Sequence, residues 1–155
     1  MTHGLRSNDD QLLLGRRVVI ALVDTVDKKT RSKIMSRVRS KNTRPEMVVR
    51  RRVHAAGYRY RLHRKDLPGS PDLTFSRFKI VVFVHGCFWH GHGCDRCRMP
   101  STNSSYWRSK IERNKQRDRK NQAELKSLGW DVHIIWECDL EGGINRLLDV
   151  LGRSK

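Results

Sequence analysis

Leu67-Pro68-Gly69-Ser70-Pro71-Asp72-Leu73-Thr74-Phe75-Ser76-Arg77-Phe78-Lys79-Ile80-Val81-Val82-Phe83-Val84-His85-Gly86-Cys87-Phe88-Trp89-His90 is the stretch that decides how this chain folds. It opens on a Pro- and Gly-rich turn, Leu67 to Pro71, followed by Asp72. Leu73 to Phe75 and Phe78 to Val84 read as two strands, joined as a hairpin through Ser76 and Arg77. The second strand is dominated by Val, Ile and Phe, the composition of a central strand buried on both faces. It runs directly into His85-Gly86-Cys87-Phe88-Trp89-His90-Gly91-His92-Gly93-Cys94, where side chains that bind metals and move protons are concentrated.

Working outward toward the N-terminus, a helix is expected to begin near Thr43. Thr43 can cap it, Pro45 suits the first turn, and Glu46 stands three residues after the cap. Val49, Val53 and Ala56 recur on one face and Gly57 is placed to stop the helix. Tyr58 to Leu62 alternates apolar and basic residues like a half-buried strand. Toward the C-terminus, a long basic helix is expected over Ser105 to Leu128. Trp107, Ile111, Leu125 and Leu128 share roughly one face, Asn114 and Asp118 lie on that same face, and Gly129 ends the helix. Trp130 to Trp136 alternates like a strand, and Ile144 to Leu151 closes the chain as a short helix. The pattern predicts an α/β fold, a mixed sheet flanked by helices. Residues 1–24 read as an N-terminal extension, and 25–155 as the single domain.

Lys and Arg total 33 against 16 Asp and Glu in 155 residues, a formal net charge of +17. Such an excess points to a polyanionic partner, nucleic acid before an acidic membrane surface. The apolar run Val18 to Val23 is far shorter than the roughly 20 residues of a spanning helix. The expected setting is cytoplasmic and nucleoid-associated, with no membrane partner, and the chain is expected to be a monomer. The segment Lys28 to Arg44 carries Arg31, Lys33, Arg37, Arg39 and Lys41. It reads equally as a DNA-contacting arm or as a solvated basic linker.

The four cysteines are Cys87, Cys94, Cys97 and Cys138. In a basic chain with histidines among them, metal binding is favoured over disulfides. Cys87-x4-His92-x-Cys94 lets three ligands converge, and Cys138 would tie the end of the late strand to the loop. Four such ligands make a structural zinc site, and sulfur argues against magnesium or calcium there. Cys94-x2-Cys97 offers a rival grouping with Cys97 in place of His92, and spacing leaves both open.

Thr30-Arg31-Ser32-Lys33, Leu67-Pro68-Gly69 with Pro71-Asp72, Phe83 to His90, Trp107 with its helix, and Val132 to Cys138 ending in Trp136-Glu137-Cys138 resemble the very short patch repair (Vsr) family. The similarity runs in unbroken order over about residues 25 to 140. It implies a restriction-endonuclease-like fold of the PD-(D/E)XK superfamily. Pro71-Asp72 fits that superfamily, but Val84-His85-Gly86 stands where a second acid and a lysine are usual. This departure is the one known for the Vsr branch, in which histidines take over and a backbone carbonyl at the position of Val84 helps hold the metal.

The resemblance implies a magnesium-dependent endonuclease that nicks double-stranded DNA 5′ to the T of a T:G mismatch left by 5-methylcytosine deamination. Magnesium prefers oxygen ligands and neutralises the phosphodiester, and Asp72 is a suitable anchor, although a turn or capping role also suits it. By family correspondence, His90 is the general acid or base with Asp118 orienting it, and His85 contacts the scissile phosphate or metal-bound water. Glu46 would hold metal-bound water, or simply cap its helix, and Asn114 lies near the site. Phe88, Trp89 and Trp107 would form a wedge beside the mismatch, against the alternative of core aromatics. Lys110, Arg113, Lys115, Arg117, Arg119 and Lys120 are candidates for phosphate contact. Mismatch-repair proteins are the expected protein partners. Two other readings remain: a related nickase or restriction enzyme acting on matched DNA, and a non-catalytic, zinc-stabilised DNA-binding module.

Overall fold

A computed structural model of the chain describes Asp27, Lys29, Thr30, Ser32, Lys33 and residues 41–154. The expected N-terminal extension, and Lys28, Arg31, Arg37 and Arg39 of the basic segment, lie outside the described residues.

Helix α1 covers Arg44–Ala55 and starts as its residues dictate, with a capping box between Thr43 and Glu46 and Pro at the first turn. The two-residue strand β1, Arg61–Leu62, pairs antiparallel with β2, Leu73–Phe75, which pairs antiparallel with β3, Ile80–His85. The one-turn helix α2, Cys87–His90, follows, and then the long helix α3, Ser104–Ser127. Strand β4, Asp131–Trp136, returns parallel to β3, and α4, Leu140–Arg153, ends the fold. The sheet order is β1-β2-β3-β4, a mixed sheet with β3 between its antiparallel and its parallel neighbour.

Five local expectations are corrected. The Tyr58–Leu62 strand is only Arg61–Leu62, and the link from β2 to β3 is a 3-10 turn over Ser76–Phe78, not a two-residue hairpin. It is closed by Lys79 at φ 54, so β3 starts later than expected, at Ile80. Leu128 is 55% exposed instead of sharing the buried face of α3, because the helix has already ended and Leu128 is its C-cap. The last helix begins at Leu140, four residues earlier than Ile144, with Asp139 capping it by accepting from the Gly142 N–H.

Both faces of the sheet are covered, and β3 divides its side chains between them. Val82 joins Leu73, Phe75, Val49, Val53, Ile135, Ile144, Leu147 and Leu151 on the face that carries α1 and α4. Val81 and Phe83 join Leu67, Leu125 and Trp130 on the face of α3. Alternation then sends the next odd-numbered side chain, His85, to the α3 face at the C-terminal end of the strand. Among the described residues, no helix is long and apolar enough to cross a membrane.

Candidate active site and metal cluster

The C-terminal ends of parallel strands are where α/β folds leave a crevice for chemistry. Here β3 ends at His85, in register with Trp136 at the end of β4. His85 is 6% exposed, and its ring stacks on that of His90 with centroids 3.7 Å apart and planes 8° apart. Burial first, and the neighbouring His90 second, pull the His85 pKa down to about 3, so its imidazole is neutral at physiological pH. His85 Nδ1 is buried without a hydrogen-bond partner among the described residues. A buried polar atom in that state is suited to a group brought by a substrate.

His90 Nδ1 lies 2.5 Å from Asp118 Oδ2. Burial alone would raise the Asp118 pKa, but the bond with His90 and the charges of His90, His85 and Arg117 overcome it, and Asp118 stays below the usual carboxylate range. Gly91 makes this meeting possible. It terminates α2 at φ +60, and a Cβ there would stand 2.3 Å from Lys115 Cε and 2.8 Å from Ile111 Cγ2. Only glycine lets the end of α2 lie this close against α3. Asn114, one turn before Asp118, donates from Nδ2 to the Trp89 carbonyl at 2.9 Å and fixes α2 from the same side.

Asp72 sits just before β2, the strand next to β3, close enough to His90 to feel its charge. The Val84 N–H donates to Asp72 Oδ2 at 2.7 Å, which ties the carboxylate to the residue preceding His85. Burial raises the Asp72 pKa to about 6 despite that bond, with Glu46 adding to the rise and Arg50 and His90 opposing it. A carboxylate buried at this cost, yet beside other acids, is a natural partner for a cation.

Two residues near Asp72 were not singled out from the sequence. Arg50 pairs with Glu46 one turn away on α1, and Glu46 is only 1% exposed. His63 Nε2 is 3.0 Å from Glu46 Oε1, and His63 Nδ1 is 3.8 Å from Asp72 Oδ1. Ligand atoms of Glu46, His63 and Asp72 all lie within 4.8 Å of one another, as do those of His85, His90 and Asp118. The i,i+4 spacing of Glu46 and Arg50 was visible in the sequence; the position of His63 was not. Glu46 makes its expected cap, the Thr43 N–H donating to its Oε2 at 3.3 Å, and at the same time stands beside His63.

The sulfur cluster adjoins the histidines. Cys87, His92, Cys94 and Cys138 place one ligand atom each within 4.8 Å of all the others. A tetrahedral zinc with bonds of about 2.3 Å to sulfur sets its ligands about 3.8 Å apart, so these four donors fit such an ion. Cys97 stands beside the group: its Sγ is 3.9 Å from Cys94 Sγ, its thiol donates to the Cys87 carbonyl at 3.1 Å, and it accepts from the Gly93 N–H. Burial pushes the Cys87 thiol up. The Cys94 thiol, which burial would raise, is instead brought to about 6 by its bond with His92 and the Arg96 amide. The end of β4 is stitched to this loop: Glu137 Oε1 accepts from the Cys87 N–H at 3.1 Å, and Trp136 stacks on His92 at 4.2 Å.

The aromatics form one patch. Phe88 and Trp107 are 2% and 4% exposed and pack edge to face, while Trp89 is partly exposed against both. Tyr106 extends the patch to the surface, and Lys110 Nζ lies over the rings of Trp89, Tyr106 and Trp107.

Residues 23–96 match the family model of the DNA mismatch endonuclease Vsr. The chain is 39% identical to the DNA mismatch endonuclease Vsr of Escherichia coli over 121 residues, covering 78% of each. The chain belongs to the Vsr family. The chain is also similar to the type II nicking enzyme V.XorIIP of Xanthomonas oryzae pv. oryzae, 50% identical over 77% of this chain and 88% of that one. The type II nicking enzyme V.NmeAIP of Neisseria meningitidis is 42% identical over 77% and 86%. Membership carries a nuclease fold, and the mixed sheet with helices on both faces agrees with it. Within that family frame, the sulfur cluster and the two acid–histidine groups are the places where divalent ions fit.

Proposed function

We propose that this protein nicks one strand of double-stranded DNA, 5′ to the T of a T:G mismatch created by deamination of 5-methylcytosine. The observation that carries the reading is the convergence of Asp72 and the His85–His90–Asp118 group on the last residues of one strand, β3. Magnesium, when bound at Asp72 with the Val84 carbonyl, supplies charge neutralisation for the phosphodiester and for the departing oxygen.

The chain's own residues do the rest. Asp118 holds His90 through Nδ1 and so aims the opposite ring nitrogen at the crevice, where it gives or takes a proton. His85, kept neutral by burial, offers Nδ1 to a phosphate oxygen or a bound water. Asn114 holds the backbone of α2 so that His90 does not drift. Cys87, His92, Cys94 and Cys138 hold zinc and thereby fix the loop that carries His90 and the aromatics. Trp89, backed by Phe88 and Trp107, presses on the base step that the mismatch has weakened, and Lys110 lies beside it for a phosphate.

A second reading, nicking of matched DNA, is favoured by the similarity to V.XorIIP and V.NmeAIP, which are named as type II nicking enzymes and not as mismatch endonucleases. One experiment separates the two. Duplexes that differ only in a T:G, T:A or C:G pair are incubated with the protein and magnesium, within several methyltransferase recognition sequences. Nicking confined to the T strand of T:G duplexes is expected, with Asp72→Ala still binding DNA but cutting at least about 10³-fold more slowly. Equal nicking of matched duplexes would replace the mismatch reading with the second one. An Asp72→Ala protein that cuts normally would remove the site altogether.

A further inference from the structure

We infer that His63 is itself a ligand, through Nδ1, of the divalent cation at Asp72, and that its imidazole biases the site toward manganese-like ions over magnesium. This rests on the reading of Asp72 as the cation anchor.

The register of the sheet brings the two side chains together. Leu62 pairs with Leu73 and Arg61 with Thr74, so one further step along the antiparallel ladder sets His63 opposite Asp72. His63 holds this place at φ 46, the left-handed region that a side chain occupies only when its surroundings fix it. Both groups are largely buried, with side-chain exposures of 15% and 19%.

The tautomer follows from the partners. Arg50 already has acceptors of its own: the Glu46 carboxylate, Asn42 Oδ1 at 2.8 Å and Met47 Sδ at 3.4 Å. Its Nη2 also lies 2.8 Å from His63 Nε2, which accepts from Arg50 when the ring proton is on Nδ1 and can turn donor to Glu46 Oε1 when the proton is on Nε2. With the proton on Nε2, His63 donates to Glu46 Oε1 at 3.0 Å. With the proton on Nδ1, the nearest acceptor, Asp72 Oδ1, is 3.8 Å away and out of reach. A cation at Asp72 selects the Nε2–H form, because its Nδ1 lone pair then faces Asp72 Oδ1, the oxygen that the Val84 N–H does not use, while Nε2–H keeps Glu46 Oε1 as acceptor.

A carboxylate holding one ring nitrogen while the other faces a cation site is the arrangement in which histidines ligate metals. Glu46 then has a specific task. Its oxygens are taken by Thr43, Arg50 and His63, so it orients the imidazole and does not itself hold the ion. The first shell becomes oxygen plus nitrogen. Magnesium favours all-oxygen surroundings, whereas first-row transition ions accept imidazole readily.

The test uses the zinc-loaded full chain titrated with Mn2+, read by pulsed electron paramagnetic resonance, which detects nitrogen bonded directly to manganese. Wild type is expected to show that nitrogen coupling, and His63→Gln to lose it, with Mn2+ affinity falling about tenfold or more and Mg2+ affinity changing little. Asp72→Ala should lose bound Mn2+ altogether. Mn2+ that binds dependently on Asp72 but without His63-dependent nitrogen coupling overturns the inference and leaves the anchor intact. Mn2+ that binds equally well to Asp72→Ala overturns both. Should His63→Gln not fold, the wild-type ring decides by nitrogen NMR with Mg2+ at saturation, because a His63 proton retained on Nδ1 with the ion bound contradicts the proposal.

Discussion

The sulfur cluster and the Asp72 cluster each gather several potential ligands within 4.8 Å, yet they are built in opposite ways. Three donors of the first, Cys87, His92 and Cys94, come from eight consecutive residues, and Cys138 adds one clasp from the end of β4. The donors of the second come from α1, the end of β1 and the start of β2, and no two are neighbours in sequence. In the proposed reading the first needs an ion to hold a glycine-rich loop in shape. The second is a buried acidic group that the fold shapes by itself. On that reading, what separates them is the direction of dependence: in one the ion would support the fold, and in the other the fold prepares for the ion.

The largest effect should come from breaking the sulfur side. Cys87→Ser is expected to lose zinc and folded stability together, on the order of 5 kcal/mol or more, because metal binding and folding are one equilibrium there. Zinc content and a thermal melt measured on the same sample check it. Full zinc with an unchanged melt would dissolve the contrast.

The smaller effect should come from the hydrogen-bonded pair between the two clusters. Asp118→Asn keeps the shape but cannot balance a charged His90, and a roughly 10²-fold loss in nicking rate with unaltered DNA affinity is expected. If affinity falls while the rate for bound DNA is kept, Asp118 is a docking residue and His90 is not the proton carrier.

The two regions also differ in how much the sequence disclosed. The Cys87 to Cys94 loop was legible because its donors are local, and spacing constrains local geometry. Only the choice between His92 and Cys97 stayed open, since both sit within reach of Cys94. It took the fold to show the Cys97 thiol turned to the Cys87 carbonyl. The helix caps at Thr43 and the burial of β3 were legible too, because capping chemistry and apolar runs act over a few residues. His63 was not. It lies between the expected strand Tyr58 to Leu62 and the turn from Leu67, beside Arg64 and Lys65, and its meaning depends on the pairing of β1 with β2. Arg50 likewise looked like one more cation on a basic helix until Glu46 was found buried against it. For Phe88 and Trp107 the sequence left wedge and core aromatic both open, and the packing of α2 on α3 shows that both are buried.

The finest way to sharpen the comparison is to remove the charge from the second region and leave its shape. Burial raises the Asp72 pKa from 3.8 to about 6 in the folded chain, so the folded state holds this proton more tightly than the unfolded state does. Stability contributed by the group is therefore present below pH 4 and is lost as pH rises through 6. Above that, ionised Asp72 is a net cost, about 1–3 kcal/mol after allowance for its partial exposure. Asp72→Asn keeps an oxygen for the Val84 N–H and carries no charge. Without added magnesium, it should be more stable than wild type at pH 8 by about that amount, and nearly equal to it at pH 4. Added magnesium should then stabilise wild type alone, because only the carboxylate gains from the ion. Urea unfolding at the two pH values measures this, without a chelator, which would also strip the sulfur cluster. An Asn variant less stable than wild type at pH 8 would mean that the ionised carboxylate is already satisfied by Arg50 and His90, and the second region would no longer be a site prepared for an absent charge.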